Sequence, residues 1–254
     1  MKILLTGHRG YIGSVLFERL KRTHTVVGID IVDDPRHDLL HCDFKEDFDL
    51  IIHLAGKSGV RESLQDPSSY WFNNVEASRR LFQRYGDNTR ILYASSSSAY
   101  EPDLNPYAAS KYVLEELAER YPDTLGMRFH TVYSDNVSRE NMLFYKLRHN
   151  KLEYITRHRR DFVHLYDVLD AIEILIRNPH VNGVIDIGSG NPIKIQDLAP
   201  GLPVRLNTPG EREFTCANIE KMKALGWKPK YSVENFLTNN KLDNIINFNN
   251  GEPA

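Results

Sequence analysis

The chain has little cysteine. Cys42 and Cys216 are the two cysteines among 254 residues, and they lie far apart. Their separation matches no paired metal-ligand spacing, so we expect neither a disulfide scaffold nor a cysteine-based metal site. His53 and His164 occur in apolar strand contexts without ligand partners at metal spacing, and we interpret them as structural histidines. We therefore predict ordinary thiols, a reducing compartment and no bound metal.

Long apolar runs are also lacking. No stretch approaches the roughly 20 residues that a membrane-spanning helix needs, and the opening run of residues 1–6 is too short for the core of a secretory signal. A large charge of one sign is absent too, because 32 Lys and Arg face 34 Asp and Glu, and the formal net charge is -2. We expect a cytoplasmic protein whose partners include neither a membrane nor a nucleic acid.

What the sequence does contain is an alternation of strand-like and helix-like segments. Strands are predicted at 3–6, 25–30, 50–54, 90–95, 124–129 and 183–187, and helices at 11–22, 68–85, 107–120, 139–149, 166–177 and 219–225. This α/β order predicts a Rossmann-like, doubly wound parallel sheet that binds ligands at the carboxyl ends of its strands. Because the alternation loosens beyond residue 133, we predict a dinucleotide-binding domain at 1–133, with 162–188 returning to its sheet. The remainder, 134–254, is predicted to form a smaller, mainly substrate-binding lobe.

The segment Gly7-His8-Arg9-Gly10-Tyr11-Ile12-Gly13 lies between the first predicted strand and the first predicted helix. There the first glycine permits a tight turn, the second admits a pyrophosphate and the third allows close packing. A glycine-rich turn without a ligand is the alternative. Asp30 closes the next strand, where a carboxylate accepts hydrogen bonds from an adenosine ribose and repels a 2′-phosphate, which favours NAD over NADP. Arg9 and Arg36 could in principle meet that extra phosphate, although a solvated surface position is the simpler interpretation for both.

Tyr107 and Lys111 are four residues apart on a predicted helix, which places a phenol and an ammonium on one face. A tyrosine base at neutral pH needs its pKa lowered from about 10 by roughly 3 units, and positive charge from Lys111 or an oxidised nicotinamide could supply that shift. The serine run at 95–98 follows a predicted strand and could share a substrate hydroxyl proton with Tyr107. A surface helix beside a serine-rich loop is the alternative interpretation of both features.

In their order along the chain, these motifs resemble those of the extended short-chain dehydrogenases/reductases. To the glycine motif, Asp30, the serine run and the Tyr107 segment the likeness adds His53-Leu54-Ala55-Gly56 and Asn74-Val75. The segments 59–64, 127–133, 160–164, 186–191 and 225–229 are similar to those of NAD-dependent sugar-nucleotide epimerases and dehydratases. They look most like UDP-glucuronate and UDP-glucose 4-epimerases.

The resemblance implies 4-epimerisation of a UDP-sugar through a transient 4-keto intermediate, with NAD as cofactor and a homodimer formed through helices 68–85 and 107–120. Tyr107 would be the general base on the sugar 4-hydroxyl, and Lys111 would lower its pKa and hold the nicotinamide ribose. Ser96, with Ser97 as the fallback, would hydrogen-bond the reacting oxygen. The cofactor would be contacted by Gly7, Arg9, Gly10, Tyr11, Ile12, Gly13, Asp30, Asp43 (near the adenine), Leu54, Ala55, Gly56, Asn74, Ala94, Tyr107 and Lys111. The substrate would be contacted by Lys57, Ser97, Ser98, Thr131 and Arg160, of which the last would face the diphosphate unless it is a surface charge of the basic run 157–160.

Two alternatives stay open. The Gly7-His8-Arg9-Gly10 turn is similar to that of NADP-dependent nucleotide-keto-sugar reductases/epimerases, although this chain has no cysteine near its serines. A catalytically silent NAD-binding sensor is the other alternative, and the intact Tyr107 and Lys111 speak against it. Dehydratases of the family have an acidic residue in the segment occupied here by serines. Compared with the family, the chain is short between Asp30 and Asp43 and between Tyr100 and Tyr107.

Overall fold

The computed structural model describes residues 1–134 and 139–239, and two β-sheets occur in those ranges. The strands are β1 Lys2–Thr6, β2 Thr25–Ile29, β3 Leu50–His53, β4 Arg90–Ser96, β5 Thr124–Phe129, β6 Thr131–Tyr133, β7 Arg159–His164, β8 Gly183–Ile187 and β9 Pro192–Lys194. The helices are α1 Tyr11–Leu20, α2 Val60–Gln65, α3 Pro67–Trp71, α4 Ala77–Tyr85, α5 Pro106–Ala118, α6 Leu143–Arg148, α7 Leu165–Arg177, α8 Ile195–Leu198, α9 Glu220–Ala224 and α10 Val233–Asn239. A π-helical segment, Phe72–Glu76, joins α3 to α4. Within the described ranges no helix combines the length and the apolar character needed to cross a membrane.

The larger sheet has six parallel strands in the order β2-β1-β3-β4-β5-β8. This confirms the predicted Rossmann-like sheet, and the predicted strands at 124–129 and 183–187 coincide with β5 and β8. The strand order reverses beside β1, because the chain moves outward to β2 and then returns to the other side of β1 as β3. Loops that leave β1 and β3 in opposite directions open a crevice at this edge of the sheet, where such folds bind ligands.

Helices cover both faces of this sheet, and most residues in its strands are therefore apolar. Along β1 the side chains alternate, with Ile3 and Leu5 packing in one core layer and Leu4 in the other. The first layer is covered by α1 and α7, and Leu16 of α1 is fully buried there. The second layer is covered by α4 and α5, with Leu81 of α4 fully buried. The helices thereby fix the strand ends that carry the site.

The smaller sheet has the order β6-β7-β9, with β6 parallel and β9 antiparallel to β7. It packs on a separate core of aromatic rings, in which the Tyr133 and Phe144 rings stack at 4.7 Å and the Phe144 and Phe236 rings meet edge-on at 5.0 Å. We expected 162–188 to return to the larger sheet. Residues 183–187 lie there as β8, whereas 162–164 belong to β7 of the smaller sheet. Of the expected second lobe, residues 135–138 and 240–254 lie outside the described residues.

The connection from β2 to β3 contains only a 3₁₀ turn, Pro35–His37, instead of a helix and a strand. The short spacing after Asp30 predicted this omission. As a result β2 is the edge strand of the sheet, and Ile31 and Val32, which follow it, are 56% and 78% exposed. The wall of the crevice beside β2 is therefore made by a turn.

His53, at the carboxyl end of β3, joins three elements. Its Nδ1 atom lies 2.7 Å from the Thr6 hydroxyl of β1, and its Nε2 atom lies 2.8 Å from the Ser78 hydroxyl of α4. Burial, together with the nearby charge of Lys111, lowers the pKa of His53 from 6.5 to about 3. The imidazole is therefore neutral at physiological pH and serves as a structural hydrogen-bonding group, in agreement with its interpretation from the sequence.

The depressed pKa of His53 predicts an acid-dependent loss of stability. Below about pH 6.5 the unfolded chain binds a proton at this residue that the folded protein does not accept until about pH 3. The free energy of unfolding should therefore fall with decreasing pH across this window, by up to about 1.4 kcal/mol per pH unit. His53→Gln should make the dependence shallower, as measured by urea unfolding at several pH values. His41→Gln, at an exposed histidine, is the control, and equal slopes for wild type and His53→Gln would contradict the assignment.

Candidate functional site

The turn after β1 is built on three glycines that bring α1 against the sheet. Gly7 has a φ of 72°, and a Cβ atom there would lie 2.6 Å from the Ala55 nitrogen. The Gly10 nitrogen donates to the Gly7 carbonyl at 2.9 Å, and a Cβ atom on Gly13 would lie 2.1 Å from that same carbonyl oxygen. Side chains are therefore excluded at the three glycine positions by backbone contacts, which leaves the amino end of α1 open to the crevice.

A cavity of about 340 Å³ lies beside the turn on the β2 side. Asp30 stands at its edge. One of its carboxylate oxygens accepts a hydrogen bond from the Arg9 backbone nitrogen at 3.0 Å, and the other accepts one from the Val32 backbone nitrogen at 3.1 Å. The carboxylate is thus fixed by backbone donors at the end of the second strand, the position at which folds of this kind bind a ribose. The predicted cofactor residues that line this cavity are Gly7, Arg9, Gly10, Asp30, Leu54, Ala55 and Gly56.

Asp43 does not line this cavity, contrary to the expectation that it lies near an adenine. Its side chain is 75% exposed and forms an ion pair with Lys45 at 3.0 Å. The wall is formed instead by His37, Asp38 and Leu39. The reason is the short β2–β3 connection, which turns back at Asp38 and carries Asp43 away from the crevice.

A second cavity, of about 300 Å³, continues from the first along the glycine turn toward β4 and α5. Lys111 of α5 lies at its floor, 5% exposed, and its ammonium donates to the Ala94 carbonyl at 2.8 Å. Burial lowers the pKa of Lys111 to about 8. The predicted residues that line this second cavity are Gly7, Gly10, Tyr11, Ile12, Gly13, Leu54, Gly56, Ala94, Ser96, Tyr107 and Lys111.

Tyr107 and Ser96 meet where this second cavity ends. Burial raises the pKa of the Tyr107 phenol above its usual value, and a hydrogen bond with Ser96 acts in the opposite direction. We expected Lys111 to depress the pKa of Tyr107, but its ammonium is directed at the Ala94 carbonyl and the net shift of Tyr107 is upward. The protein alone therefore places the proton-transfer groups together and leaves the phenol protonated.

The four serines of the run have different surroundings. Ser95 hydrogen-bonds the Glu115 carboxylate inside the fold. Ser96 lines both the second cavity and a third one, whereas Ser97 and Ser98 line only the third. Ser96 also caps the following 3₁₀ turn by accepting the Ser98 nitrogen at 3.1 Å. Its position at the junction of two cavities distinguishes Ser96 from Ser97 as the serine that contacts Tyr107.

The third cavity, of about 230 Å³, lies between the serine turn and the second lobe, and it adjoins a fourth of about 420 Å³. Thr131 lines the third cavity, and Arg160 lines both. Burial lowers the pKa of Arg160 to about 10, so its guanidinium stays charged at neutral pH. Arg160 lies 3.7 Å from the Glu211 carboxylate, which also accepts Arg61 at 2.7 Å. This cleft therefore combines hydroxyls at one end with guanidiniums at the other.

One carboxylate and one guanidinium of the third cavity could not be predicted from the sequence. Glu211 and Arg212 lie in a loop between the predicted segments, and Arg212 donates to the Ser97 carbonyl at 2.7 Å and to the Glu101 carboxylate at 2.6 Å. Only the fold brings residue 212 next to residue 97. The sole signal in the sequence was the concentration of charge in Gly210-Glu211-Arg212-Glu213.

Lys57 and Asn74 occupy places other than those expected. Lys57 lines the first two cavities, not the third, and its ammonium donates to the Ser69 hydroxyl at 2.8 Å. Asn74 is 1% exposed and lines none of the four cavities. It accepts the Lys57 nitrogen at 2.7 Å and donates both to the Lys57 carbonyl at 3.0 Å and to the Ser110 hydroxyl at 2.9 Å. Asn74 therefore fixes the loop after β3 to the helix that carries Tyr107.

The arrangement of the first two cavities fits a dinucleotide. A glycine turn at the amino end of α1 lies at their junction and has no side chain at residues 7, 10 and 13, a fixed carboxylate stands at one end, and a buried ammonium lies at the other end. In residues 1–134 and 139–239, no group of three or more His, Cys, Asp or Glu side chains is arranged so that it could hold a metal ion.

The three hydrogen bonds of Asn74 predict a large loss of stability on its removal. Asn74→Ala leaves the Lys57 amide and carbonyl without their buried partner, and we expect the free energy of unfolding to fall by about 2 kcal/mol. Asn73→Ala is the matched control, since the Asn73 amide makes one hydrogen bond, to the Ser69 carbonyl at 2.8 Å. Chemical denaturation of the two variants measures the difference, and equal losses would show that Asn74 does not fix the loop.

Comparison with known proteins places the chain in a large group of similar molecules. A family model described as NAD dependent epimerase/dehydratase family matches residues 3–188. An uncharacterised UDP-glucose epimerase from Bacillus subtilis, YtcB, is 29% identical over 94% of this chain and 96% of its own, in an alignment of 305 residues. That alignment is longer than the 254 residues of this chain, so the relative has inserted segments.

Solved structures show the same fold. A mutant of the Bacillus cereus UDP-glucuronic acid 4-epimerase, in complex with UDP-4-deoxy-4-fluoro-glucuronic acid and NAD, superposes with a TM-score of 0.80 at 25% identity, over 91% of this chain and 95% of that one. RMD from Pseudomonas aeruginosa, in complex with NADPH, superposes with a TM-score of 0.73 at 21% identity, over 94% of this chain and 97% of that one. The resemblance found in the sequence motifs is confirmed by these matches.

Proposed function

The chain belongs to the NAD dependent epimerase/dehydratase family, and from that premise we propose that it epimerises C4 of a UDP-linked sugar with NAD as its cofactor. The observation that carries the proposal is the position of Ser96 and Tyr107 at the junction of the dinucleotide cavities with the third cavity. The segment Ser96-Ser97-Ser98 has no carboxylate, which favours epimerisation over dehydration. Relatives named as UDP-glucose and UDP-glucuronate 4-epimerases support the choice of substrate class.

The residues that line the first two cavities would each contact a different part of NAD. The glycine turn and the amino end of α1 would hold the pyrophosphate, Asp30 would accept the hydroxyls of the adenosine ribose, and Lys111 would donate to the nicotinamide ribose. When bound, NAD accepts a hydride from the sugar and returns it. Leu54 and Gly56 would exclude water from one wall of the cavity, because both line it on the β3 side.

Proton transfer falls to Tyr107. Its phenol oxygen would take the proton of the 4-hydroxyl while the Ser96 hydroxyl holds the same oxygen in place, and the reverse transfer would restore the hydroxyl on the opposite face. Burial raises the pKa of Tyr107 in the protein alone, so the phenol needs positive charge nearby to act as a base. Because the Lys111 ammonium is directed at the Ala94 carbonyl and the net shift of Tyr107 is upward, that charge would come from the oxidised nicotinamide of bound NAD.

Substrate binding falls to the third and fourth cavities. Arg160, which borders both, would contact the diphosphate by charge-assisted hydrogen bonds. Thr131, Ser97 and Ser98 would surround the sugar next to Ser96. The fourth cavity, with Tyr154 among its lining residues, would take the base.

The proposed reaction is tested by incubating the purified protein with UDP-, GDP- and dTDP-sugars, with no added dinucleotide, with NAD or with NADPH, and following the C4 configuration by NMR and the dinucleotide by its absorbance. Interconversion of C4 epimers without net NADH formation would support the proposal. Stoichiometric consumption of NADPH would favour a nucleotide-keto-sugar reductase, the alternative suggested by Arg9 at the adenosine end and by the relative in complex with NADPH. Binding without turnover would favour a silent NAD-binding sensor.

The assignment of the proton-transfer residues predicts distinct kinetic losses. Tyr107→Phe should lower kcat by about 10³-fold and leave NAD binding intact, because general acid–base catalysis contributes about 10²–10⁴-fold. Ser96→Ala should lower kcat by about tenfold or more, since one hydrogen bond to the reacting oxygen is lost. Ser97→Ala should act mainly on KM.

Steady-state kinetics and NAD titration of the same preparations provide the measurement. The matched control is Tyr121→Phe, which removes a phenol hydroxyl from a ring that packs on Phe82 beyond the end of α5. It should retain wild-type turnover. Undiminished turnover of Tyr107→Phe, or a larger loss of kcat for Ser97→Ala than for Ser96→Ala, would exclude the proposed roles.

We also propose that the protein is a homodimer formed through α3, the π-helical segment and α5. Leu81 and Phe82 pack in the core, whereas Trp71, Phe72 and Tyr112 are 44%, 52% and 39% exposed. Apolar side chains exposed together on adjacent elements are typical of an interaction surface.

Glutamate in this surface should dissociate the dimer. We expect wild type to sediment as a dimer at micromolar concentration and the Trp71→Glu, Phe72→Glu double variant to sediment as a monomer, because two charges would be buried without partners. Leu206→Glu, at a residue that is 68% exposed, should leave the sedimentation coefficient unchanged. A monomeric wild-type protein would refute this assembly.

A further inference from the structure

Asp33, three residues beyond the ribose carboxylate Asp30, links two basic side chains of the glycine turn. One of its carboxylate oxygens lies 2.7 Å from His8 Nε2, and the other accepts Arg9 Nε at 2.7 Å. The three residues form a continuous chain of contacts from the interior to the rim of the first cavity, called here the adenosine cavity because it would take the adenosine of NAD. Asp33 was not among the residues expected to bind the cofactor.

The inner end of this chain of contacts is rigid. His8 is 6% exposed, and its ring packs at 4.9 Å from the Phe17 ring. A Cβ atom on Gly28 of β2 would lie 2.6 Å from the His8 ring, so the absence of a side chain at residue 28 creates the space for it. The imidazole is thus fixed between α1 and β2, and it fixes the carboxylate of Asp33 in turn.

The outer end is a guanidinium at the cofactor cavity. Arg9 lines the adenosine cavity, its side chain is 58% exposed, and its backbone nitrogen donates to Asp30 at 3.0 Å. The Arg9 side chain is therefore attached to a backbone that contacts the Asp30 carboxylate. From there an unrestrained guanidinium could reach a phosphate on the 2′-hydroxyl of the adenosine ribose. In this structure the Nε atom is directed at Asp33 instead.

We infer that Asp33 determines the choice of dinucleotide by holding Arg9 away from the 2′-position, so that Asp30 repels a 2′-phosphate and the Arg9 guanidinium is not free to bind it. The inference rests on the proposed NAD-dependent function and adds a residue that determines its specificity. Asp30 alone repels a 2′-phosphate, but a neighbouring arginine could compensate for this repulsion by attracting the phosphate. Asp33 prevents that compensation, because its carboxylate both neutralises the Arg9 guanidinium and fixes its direction.

The test is a calorimetric titration of wild type and Asp33→Asn with NAD and with NADP, without any sugar. We expect Asp33→Asn to bind NADP about tenfold more tightly than wild type, because one charge-assisted hydrogen bond from the released Arg9 to the 2′-phosphate becomes available. Its affinity for NAD should change by less than about threefold. Asp33→Ala, which removes both hydrogen-bond acceptors, should give at least the same gain for NADP.

Two controls separate this effect from a general change of charge. Asp34→Asn removes the same charge one residue away, where the carboxylate holds Arg36 at 2.5 Å, and neither Asp34 nor Arg36 lines the cavity. It should leave the affinity for NADP unchanged. Adding Arg9→Gln to Asp33→Asn should return the affinity for NADP to the wild-type value.

The outcomes are distinguishable. A wild-type protein that binds NAD, together with an Asp33→Asn variant that gains no affinity for NADP, would overturn the role of Asp33 and leave the proposed function standing. An equal gain in Asp34→Asn, or a gain that survives Arg9→Gln, would also overturn it. A wild-type protein that binds neither dinucleotide would overturn the proposed cofactor and this inference with it.

Discussion

The side chain of Asn105 connects the two halves of the site. Its amide oxygen accepts the Ala108 nitrogen at 2.8 Å, which caps α5, and its amide nitrogen donates to the Gly210 carbonyl at 2.8 Å. One buried residue therefore fixes both the start of the helix that carries Tyr107 and the loop that carries Glu211 and Arg212. The distance between the proton-transfer groups and the cleft beyond them depends on this double contact, because an N-cap sets where a helix begins.

The parts of the site that are local in sequence could be predicted. The glycine turn, Asp30 and the Tyr107–Lys111 pair each lie within one strand–turn–helix unit, so periodicity and spacing suffice to place them. Ser96 could be chosen over its neighbours only from the resemblance to the family, with Ser97 as the fallback. The structure gives a physical basis for that choice, because Ser95 is turned inward to Glu115 and Ser96 borders two cavities.

The parts that depend on distant contacts could not be predicted. Strands of three residues such as β6 and β9 carry too little periodicity to be recognised, and they exist because β7 pairs with both. Arg212 reaches the serine turn across 115 residues of sequence. Asp43 illustrates the opposite error, since its place was inferred from longer relatives, and the short connection after β2 moves it to solvent.

The charged side chains of the cleft that the third and fourth cavities form are paired with one another. Glu211 accepts Arg61 at 2.7 Å and lies 3.7 Å from Arg160, while Glu101 accepts Arg212 at 2.6 Å. One carboxylate thus serves two guanidiniums, which leaves the cleft with an excess of positive charge. Ion pairs that orient arginines before a ligand arrives lower the entropy lost on binding. Under the proposed function, a diphosphate would supply the negative charge that the cleft lacks, while Arg9, at the other end of the site, is already paired. The same residue type would therefore attract phosphate at one end of the crevice and be withheld from it at the other, because Arg61 and Arg160 share the Glu211 carboxylate, whereas Asp33 lies 2.7 Å from Arg9.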